Sequence, residues 1–462
     1  MKKIAIIGSG PSGMFSALKL SENKELEIDI FEKGKDIRNR KCPLMAGKTD
    51  KCLSCKSCDV VSGVAGAGAY ADGKYIISTE YGGWLPDFYD DKTVLEYIEK
   101  ADEILIGYGA TKERYKPNDD LKKKLLQHDL HMQQANVKHL GTDKNFEIMC
   151  KMRDDLVSRD NVTIHDETTV ADVTKTKWET YCVTYSLKYG DVVSGEYDYV
   201  IFAVGRSGNG FFKTWCDKHD VKTSNNQVDI GVRVEQPNLI WKDFTDQVYE
   251  AKILYKTQQY GDIVRTFCQN YGGEVVVERN EEILSVNGHS YASKDKLTEN
   301  TNYSLLSTIH FTEPFNQPVE YAHRIVSLAN AITNGSVIVQ TLGDLEKGRR
   351  STEKRIKQNM VKPTLKTAVP GDLSLCMPKR QLDDIIETLH ALDKCIPGVA
   401  NPDTLLYGVE AKYYSCRPET TKEFELLDFP NVYAIGDGAG FTRSLSQASA
   451  QGLMVADFIL SK

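Results

Sequence analysis

At 462 residues the chain is longer than a typical single domain, and length alone predicts two or three. Hydrophobic residues make up 41%, ordinary for a globular protein, and no run approaches the roughly 18 apolar residues of a membrane span. A net charge of −7 argues against general binding to nucleic acid or anionic lipid. Eleven cysteines, an odd number without a signal-peptide pattern, predict a cytoplasmic protein rather than a disulfide framework.

The apolar strand Ile4-Ala5-Ile6-Ile7 runs directly into Gly8-Ser9-Gly10-Pro11-Ser12-Gly13, followed by a helical stretch from Met14 to Leu20. A second strand, Leu26 to Phe31, then ends at Glu32 and Lys33. Strand, glycine turn, helix, strand and acid in this order are the dinucleotide-binding fingerprint in its full context. Gly8 allows the tight turn, Gly10 lets the backbone approach a pyrophosphate, and Gly13 lets helix and strand pack closely. Free N–H groups at the helix start, with Pro11 and Ser12, would bind the pyrophosphate. Glu32 would accept hydrogen bonds from a ribose diol.

Next comes a cysteine-rich stretch, Cys42, Cys52, Cys55 and Cys58, among the lysines Lys48, Lys51 and Lys56. Four thiolates in a short loop suit a tetrahedral zinc site, and the C-x2-C-x2-C spacing equally suits an iron–sulfur cluster. A thiol–disulfide pair or plain surface thiols also fit. Two loops beyond it, Asp72-Gly73-Lys74 and His139 to Lys144, supply candidate catalytic groups: Lys74, and His139 or Asp143 as a substrate base.

A middle segment starts at Val162 and ends in the strand Tyr199 to Ala203, followed by Val204-Gly205-Arg206-Ser207. In the insert that follows, about 226–400, Arg233 and Glu235 share one strand face and fit either a buried pair or a carboxylate clamp. Strands are predicted near 274–278 and 336–340, and helices near 318–333 and 382–392. Between Glu346 and Lys366 eight lysines and arginines face two acids, a solvated helix face or a surface for a polyanionic partner. Arg417 is a further candidate for anion binding. The last segment is a strand ending in Gly436-Asp437-Gly438, then a small-residue helix from Ser446 to Leu460.

This final Gly-Asp strand and helix resemble the second signature of glutathione-reductase-type flavoproteins, and Val204 to Ser207 resembles the middle signature of the same group. The resemblance implies FAD rather than NAD. Asp437 would hydrogen-bond the ribityl chain, Val170 would meet adenine through its backbone, and the last helix would aim its positive end at the flavin's pyrimidine edge. No second GxGxxG follows a strand between 100 and 400, so no dedicated NAD(P)H domain is expected.

Further strings resemble, in order and along nearly the whole chain, a poorly characterised family described as FAD-dependent or NAD(FAD)-utilising dehydrogenases. They are Gly66 to Lys74, His139 to Lys144, Asp229 to Glu235, Phe267 to Gly273, Ser285 to Gly288 and Gly408 to Glu410. The chain departs from that family at Ala71, where serine is usual, and at Phe441 to Leu445, where a glycine-rich turn is usual. Arg443 in that turn would lie near the flavin and shape electron affinity or substrate charge.

The expected fold is therefore α/β, a Rossmann-like FAD-binding domain of the glutathione-reductase type with a discontinuous α+β substrate or cap domain. The expected boundaries are 1–80, 145–225 and 401–462 for the first, and 81–144 and 226–400 for the second. The expected function is an FAD-dependent oxidoreductase acting on a small polar substrate at the flavin. A flavin oxidase or lyase acting on an amine or amino-acid-like group, linked or not to a nucleotide or nucleic acid, and a flavin–cysteine redox sensor are the alternatives.

Overall fold

The computed structural model describes all residues except 44–45, 50–52, 54, 56, 117, 134, 249–251, 281–282, 290–296, 313 and 316. The chain forms two compact units, the first Met1–Arg114, Ala135–Asn226 and Ser415–Lys462, the second Tyr115–Gln134 and Gln227–Tyr414.

The first unit is built on five parallel strands in the order Val432–Ala434, Tyr199–Phe202, Lys2–Ile7, Leu26–Phe31 and Val162–His165. Four residues of Lys2–Ile7 and all of Tyr199–Phe202 are buried, the signature of a sheet covered on both faces. The chain moves outward from Lys2–Ile7 in one direction, then returns to lay Tyr199–Phe202 against its other edge. That reversal opens a crevice at the carboxyl ends of these two strands, where doubly wound sheets bind ligands. The helix Pro11–Leu20 packs on the C-terminal helix Leu445–Ser461 at very short range. A methyl group on Gly452 would lie 2.3 Å from the Ser12 carbonyl oxygen, and Ser16 Oγ donates to the Gly452 carbonyl at 3.0 Å. A three-stranded antiparallel sheet, Thr169–Lys175, Tyr181–Ser186 and Val192–Tyr197, and a ribbon pairing Lys74–Ile77 with Asn136–His139 complete the unit.

The second unit holds an eight-stranded sheet, antiparallel except for its Ile338–Thr341 and Val369–Pro370 pair. Its long central strands, Val228–Pro237 and Asn300–Ile309, pair along ten residues. Val228, Ile230, Val232 and Val234 face one core with Trp241, Ile385 and Leu389 from the helices Asn238–Thr245 and Lys379–Asp393. Asp229, Arg233 and Glu235 alternate with them and so line the opposite face.

The unit boundaries differ from those expected. Helix Asp91–Gly107 buries Val94, Ile98, Ala101 and Leu105 in the first core, and Tyr97 donates to Asp457 of the C-terminal helix at 2.9 Å. Strand Leu405–Lys412 hydrogen-bonds with Val228–Pro237, which carries 401–414 into the second unit. The expected helices and strands of the insert lie at Pro318–Ile332, Lys379–Asp393, Glu274–Asn280 and Ile338–Thr341.

Candidate functional site

The three glycines of the first turn are in three different steric situations. Gly8 sits at φ +107°, and a methyl group there would lie 2.3 Å from the Ala203 carbonyl oxygen on the neighbouring strand. On Gly13 it would lie 2.1 Å from the Gly8 carbonyl oxygen, so helix and turn touch backbone to backbone. Around Gly10 nothing stands within 4 Å. Gly10 caps helix Pro11–Leu20 without a side-chain hydrogen bond, and Pro11 opens the helix. The result is an uncapped helix N-terminus facing open space, a ready cradle for an anion.

Glu32 is only 6% exposed, and its carboxylate draws three loops together. One oxygen accepts from Ser9 N and Ser9 Oγ at 3.2 and 2.7 Å, the other from Gly34 N and Gly63 N at 2.9 Å each. Four donors match the four acceptor sites of a carboxylate. A ribose hydroxyl reaching Glu32 would share or replace the Ser9 hydroxyl. The Gly63 loop then folds onto the turn: Ala65 N donates to Ser9 O at 3.0 Å, and a methyl group on Gly66 would lie 2.9 Å from Gly10 Cα. Buried Arg40 holds this loop from behind, donating to the carbonyls of Asp59, Val60, Val64 and Gly66 while lying 4.8 Å over the Tyr70 ring. Arg40 carries no motif around it in the sequence that could have revealed this role.

Lys33 lies partly buried, which lowers its ammonium pKa, and donates to Ser207 O at 2.7 Å. Beside it Arg206 Nε pairs with Asp437 at 2.8 Å. Methyl groups on Gly436 and Gly438 would lie 2.7 Å from Ser12 Oγ and 2.3 Å from Gly205 O, so this second turn is locked against the first. Val170 is buried in the strand that follows Thr168, whose N–H donates to the Glu32 carbonyl at 2.8 Å. The expected cofactor-binding residues therefore follow the carboxyl ends of the parallel strands, with Val170 on the adjoining three-stranded sheet.

Helix Leu445–Ser461 begins with Ser444 accepting from Gln447 N at 3.1 Å. Around its first turns Thr442 Oγ1, Ser446 Oγ, Ser449 Oγ and Gln451 Nε2 are buried with no hydrogen-bond partner among the described residues. Buried polar atoms are costly to leave unsatisfied, so this helix start asks for a polar ligand. The uncapped turn at Gly10, the Asp437 turn and these orphaned groups together fit an elongated dinucleotide whose polar ring system ends at the last helix.

Of the expected catalytic groups, Lys74 and His139 are direct cross-strand neighbours, and Lys74 Nζ lies 3.0 Å from Asp72. Asp143 is exposed in the first turn of helix Thr142–Val157, where its charge complements the helix N-terminus. Two residues on, buried Asn145 donates to the Gly68 carbonyl at 2.7 Å and accepts from Tyr75 OH at 3.0 Å, tying this helix to the Gly66–Tyr70 loop. Arg443 is half-buried, its N–H donating to Gly82 O at 2.9 Å.

Other expectations find structural explanations. Arg233 and Glu235 do not pair with each other. Arg233 meets Asn302, Ser304, Glu410 and the Cys268 carbonyl, whereas Glu235 accepts from Asn300, Thr364 and Tyr407, burial raising its pKa. Arg417 is taken up by Asp87 at 3.0 Å and by the Trp84 and Phe441 rings. In the basic run Arg349 pairs with buried Asp344 at 2.6 Å, while Lys347, Arg350, Lys354, Lys357 and Lys366 form no salt bridge among the described residues. Of the cysteine cluster, Cys52 lies outside the described residues, Cys42 is half-buried, and Cys55 and Cys58 are exposed free thiols. Among the described residues no three His, Cys, Asp or Glu side chains converge to hold a metal ion. No helix among them is long and apolar enough to cross a membrane.

Residues 227–413 match the family model described as FAD-dependent protein, C-terminal domain-like. The chain is 27% identical over 477 residues to an uncharacterized protein of Clostridium beijerinckii, spanning 99% of this chain and 80% of that one. Among solved structures it is similar to an E. coli quinol fumarate reductase (12% identity, TM-score 0.44, 100% of this chain and 71% of that one). It is also similar to glycine oxidase from Geobacillus kaustophilus (10%, TM-score 0.41, 100% and 96%) and to pyridoxine 4-oxidase from Mesorbium loti (10%, TM-score 0.43, 100% and 100%).

Proposed function

We propose that the chain bearing this C-terminal domain is an FAD-dependent oxidoreductase that oxidises or reduces a small polar substrate directly at the flavin, without an NAD(P)H-binding Rossmann domain of its own. The observation that supports it best is the pairing of an open, uncapped glycine turn at Gly10 with a buried, unsatisfied helix start at Thr442 and Ser446, each following a strand of the parallel sheet. FAD supplies reversible two-electron chemistry when bound. The chain's residues supply the rest. The N–H groups beyond Pro11 attract the pyrophosphate, Glu32 receives the ribose, and Asp437, steadied by Arg206, receives the ribityl hydroxyls. The Ser446 and Thr442 hydroxyls and the dipole of helix Leu445–Ser461 favour negative charge at its start. Lys74, His139, Asp143 and Arg443 are the groups we assign to holding the substrate or moving its proton.

The test is a spectrum of the purified protein with its flavin quantified, followed by anaerobic mixing with a panel of metabolites. Flavin bands at one FAD per chain, bleached by a metabolite and not by NADPH, are expected. Stoichiometric FAD retained by both Gly10→Val and Asp437→Ala would refute the assigned site.

A further inference from the structure

The basic run between Glu346 and Lys366 fits two readings as a sequence, a solvated helix face or a surface for a polyanion. The structure removes the first. Between Lys347 and Lys366, all of them described, only Glu353–Gln358 is helical, and the cations continue on both sides of it. The segment is also fastened along its length to the second unit. The Arg349 carbonyl accepts from Gln340 Nε2 at 2.9 Å, and Ser351 Oγ donates to buried Asp344 at 2.8 Å. Asn359 Nδ2 donates to the Asp403 carbonyl at 2.8 Å, and the Lys362 carbonyl accepts from Asn300 Nδ2 at 2.8 Å. Thr364 Oγ1 donates to Glu235 at 2.5 Å. Ile356 and Val361 are buried in a small core with Val275, Val339 and Tyr407.

What this fixed base presents to solvent is positive. Arg349, Arg355 and Lys362 are used within the fold. Arg349 pairs with Asp344 at 2.6 Å, Arg355 donates to the Arg350 carbonyl at 2.9 Å, and Lys362 Nζ donates to the Lys357 and Asn359 carbonyls at 3.0 and 2.7 Å. Lys347, Arg350, Lys354, Lys357 and Lys366 are exposed, and their side chains make no ion pair, hydrogen bond or ring contact among the described residues. Of the two acids, Glu346 lies 2.7 Å from His390 Nε2, and Glu353 stands in the first turn of the short helix. The chain holds 65 acids and a net charge of −7, so five unpaired cations in one segment are a local excess kept against the average. Lys354 and Lys357, three apart on the helix, repel each other, and a polyanion would relieve that repulsion.

The composition of the face narrows the partner. Its apolar side chains Ile356 and Val361 are buried, and Met360, 80% exposed, is the one large apolar side chain that the segment shows. A protein interface has an apolar centre, and a membrane-binding face inserts several apolar side chains. No Phe, Tyr or Trp occurs between Glu346 and Lys366, so nothing is provided for stacking on unpaired bases. Lysines and arginines on a rigid base suit a duplex backbone, where binding comes from neutralising phosphates.

We infer that the exposed cations between Lys347 and Lys366 bind the phosphate backbone of a nucleic-acid duplex without reading its sequence. Lys354 and Lys357 would take neighbouring phosphates, with Arg350, Lys347 and Lys366 extending the contact. The binding does not depend on the flavin.

The experiment is fluorescence anisotropy of the full chain with a short labelled DNA duplex of arbitrary sequence, at salt from about 50 to 200 mM. Five neutralised phosphates give an expected log–log slope of about −4.5, a loss of roughly 500-fold in affinity across that range. A duplex of scrambled sequence should bind equally well. Arg350→Gln, Lys354→Gln and Lys357→Gln together should reduce the slope to about −1.8, and Lys347→Gln with Lys366→Gln to about −2.7. As a control, Lys92→Gln, Lys177→Gln and Lys222→Gln, at exposed positions of the first unit, change the net charge as much as the triple variant and should leave the slope unchanged. The substituted side chains are all exposed, so every variant should melt with the wild type. No duplex binding at the lowest salt, a slope untouched in the triple variant, or an equal loss in the control would overturn the proposal. Tighter binding to phosphatidylserine vesicles or to polyglutamate than to the duplex would overturn it as well.

Discussion

Gly10 and Gly13 should fail in opposite ways when given a side chain. At Gly10 no atom stands within 4 Å of the new β-carbon, and φ is −67°, so the β-carbon of Gly10→Val meets no clash in the protein itself. Its cost to the flavin-free fold is the loss of a tolerated helix cap, about 1 kcal/mol. The space it fills is the one proposed above for the pyrophosphate. At Gly13 the new carbon would lie 2.1 Å from the Gly8 carbonyl oxygen, so the turn must move by about 1 Å or more, an overpacking cost of roughly 1–3 kcal/mol. Saturating FAD at about 100 times its Kd should stabilise the wild-type protein by about 2.7 kcal/mol. In the first unit of about 250 residues this corresponds to a rise in Tm of roughly 5–10 °C. Scanning fluorimetry of flavin-stripped protein, with and without added FAD, reads both quantities. Gly10→Val should melt near the flavin-free wild type and show no FAD shift, whereas Gly13→Ala should melt several degrees lower before any FAD is added. A full FAD shift in Gly10→Val, or equal flavin-free losses in the two variants, would refute the steric reasoning.

Asp384 gives a pH signature. Burial pushes its carboxyl up to about 6, with Asp262 adding repulsion against the hydrogen bonds from Ser307 and Thr257. A carboxyl whose folded pKa is raised favours the native state below the unfolded value near 4 and loses that contribution as pH rises through 6. Denaturant midpoints should therefore fall by the equivalent of about 3 kcal/mol from this group between pH 4 and 7.5, and Asp384→Asn should flatten that part of the profile. In a thiol titration of the native protein, Cys55 and Cys58 should react first. Burial pushes the Cys216 and Cys376 thiols up to about 12 and Cys416 to about 11, so these should react only on unfolding. Protection of Cys55 and Cys58 that a chelator abolishes would instead revive the metal reading. If residues 346–366 receive a polyanion, retention on heparin should fall when Lys347, Arg350 and Lys354 are reversed to glutamate. Salt dependence should weaken with it, by about 0.9 in log–log slope for each duplex-DNA phosphate that is no longer neutralised.

The first unit was legible because its constraints are local. Gly8, Gly10 and Gly13 lie within six residues, and each apolar run that ends in glycine proved to be a strand of one parallel sheet. What was not legible depends on partners far along the chain. Arg40 acts through backbone carbonyls that any sequence would offer, so no residue pattern announces it. Arg233 and Glu235 share a face as their alternation predicts, but their partners Glu410 and Tyr407 lie about 170 residues away and come from a different strand. The same distance effect moved the unit boundaries. Helix Asp91–Gly107 reads as a generic amphipathic helix, and only its packing on the C-terminal helix assigns it to the first unit.

The strand order has a consequence for the chain as it leaves the ribosome. The parallel sheet gains its edge strand Val432–Ala434, and its helix Leu445–Ser461, only after residues 227–414 have been made. The second unit therefore has its complete set of strands in hand while the first still exposes one flank of Tyr199–Phe202. Translation thus sets the schedule of maturation: the intervening unit can consolidate first, and a cofactor can be captured only after the later segment has threaded back to complete the earlier one.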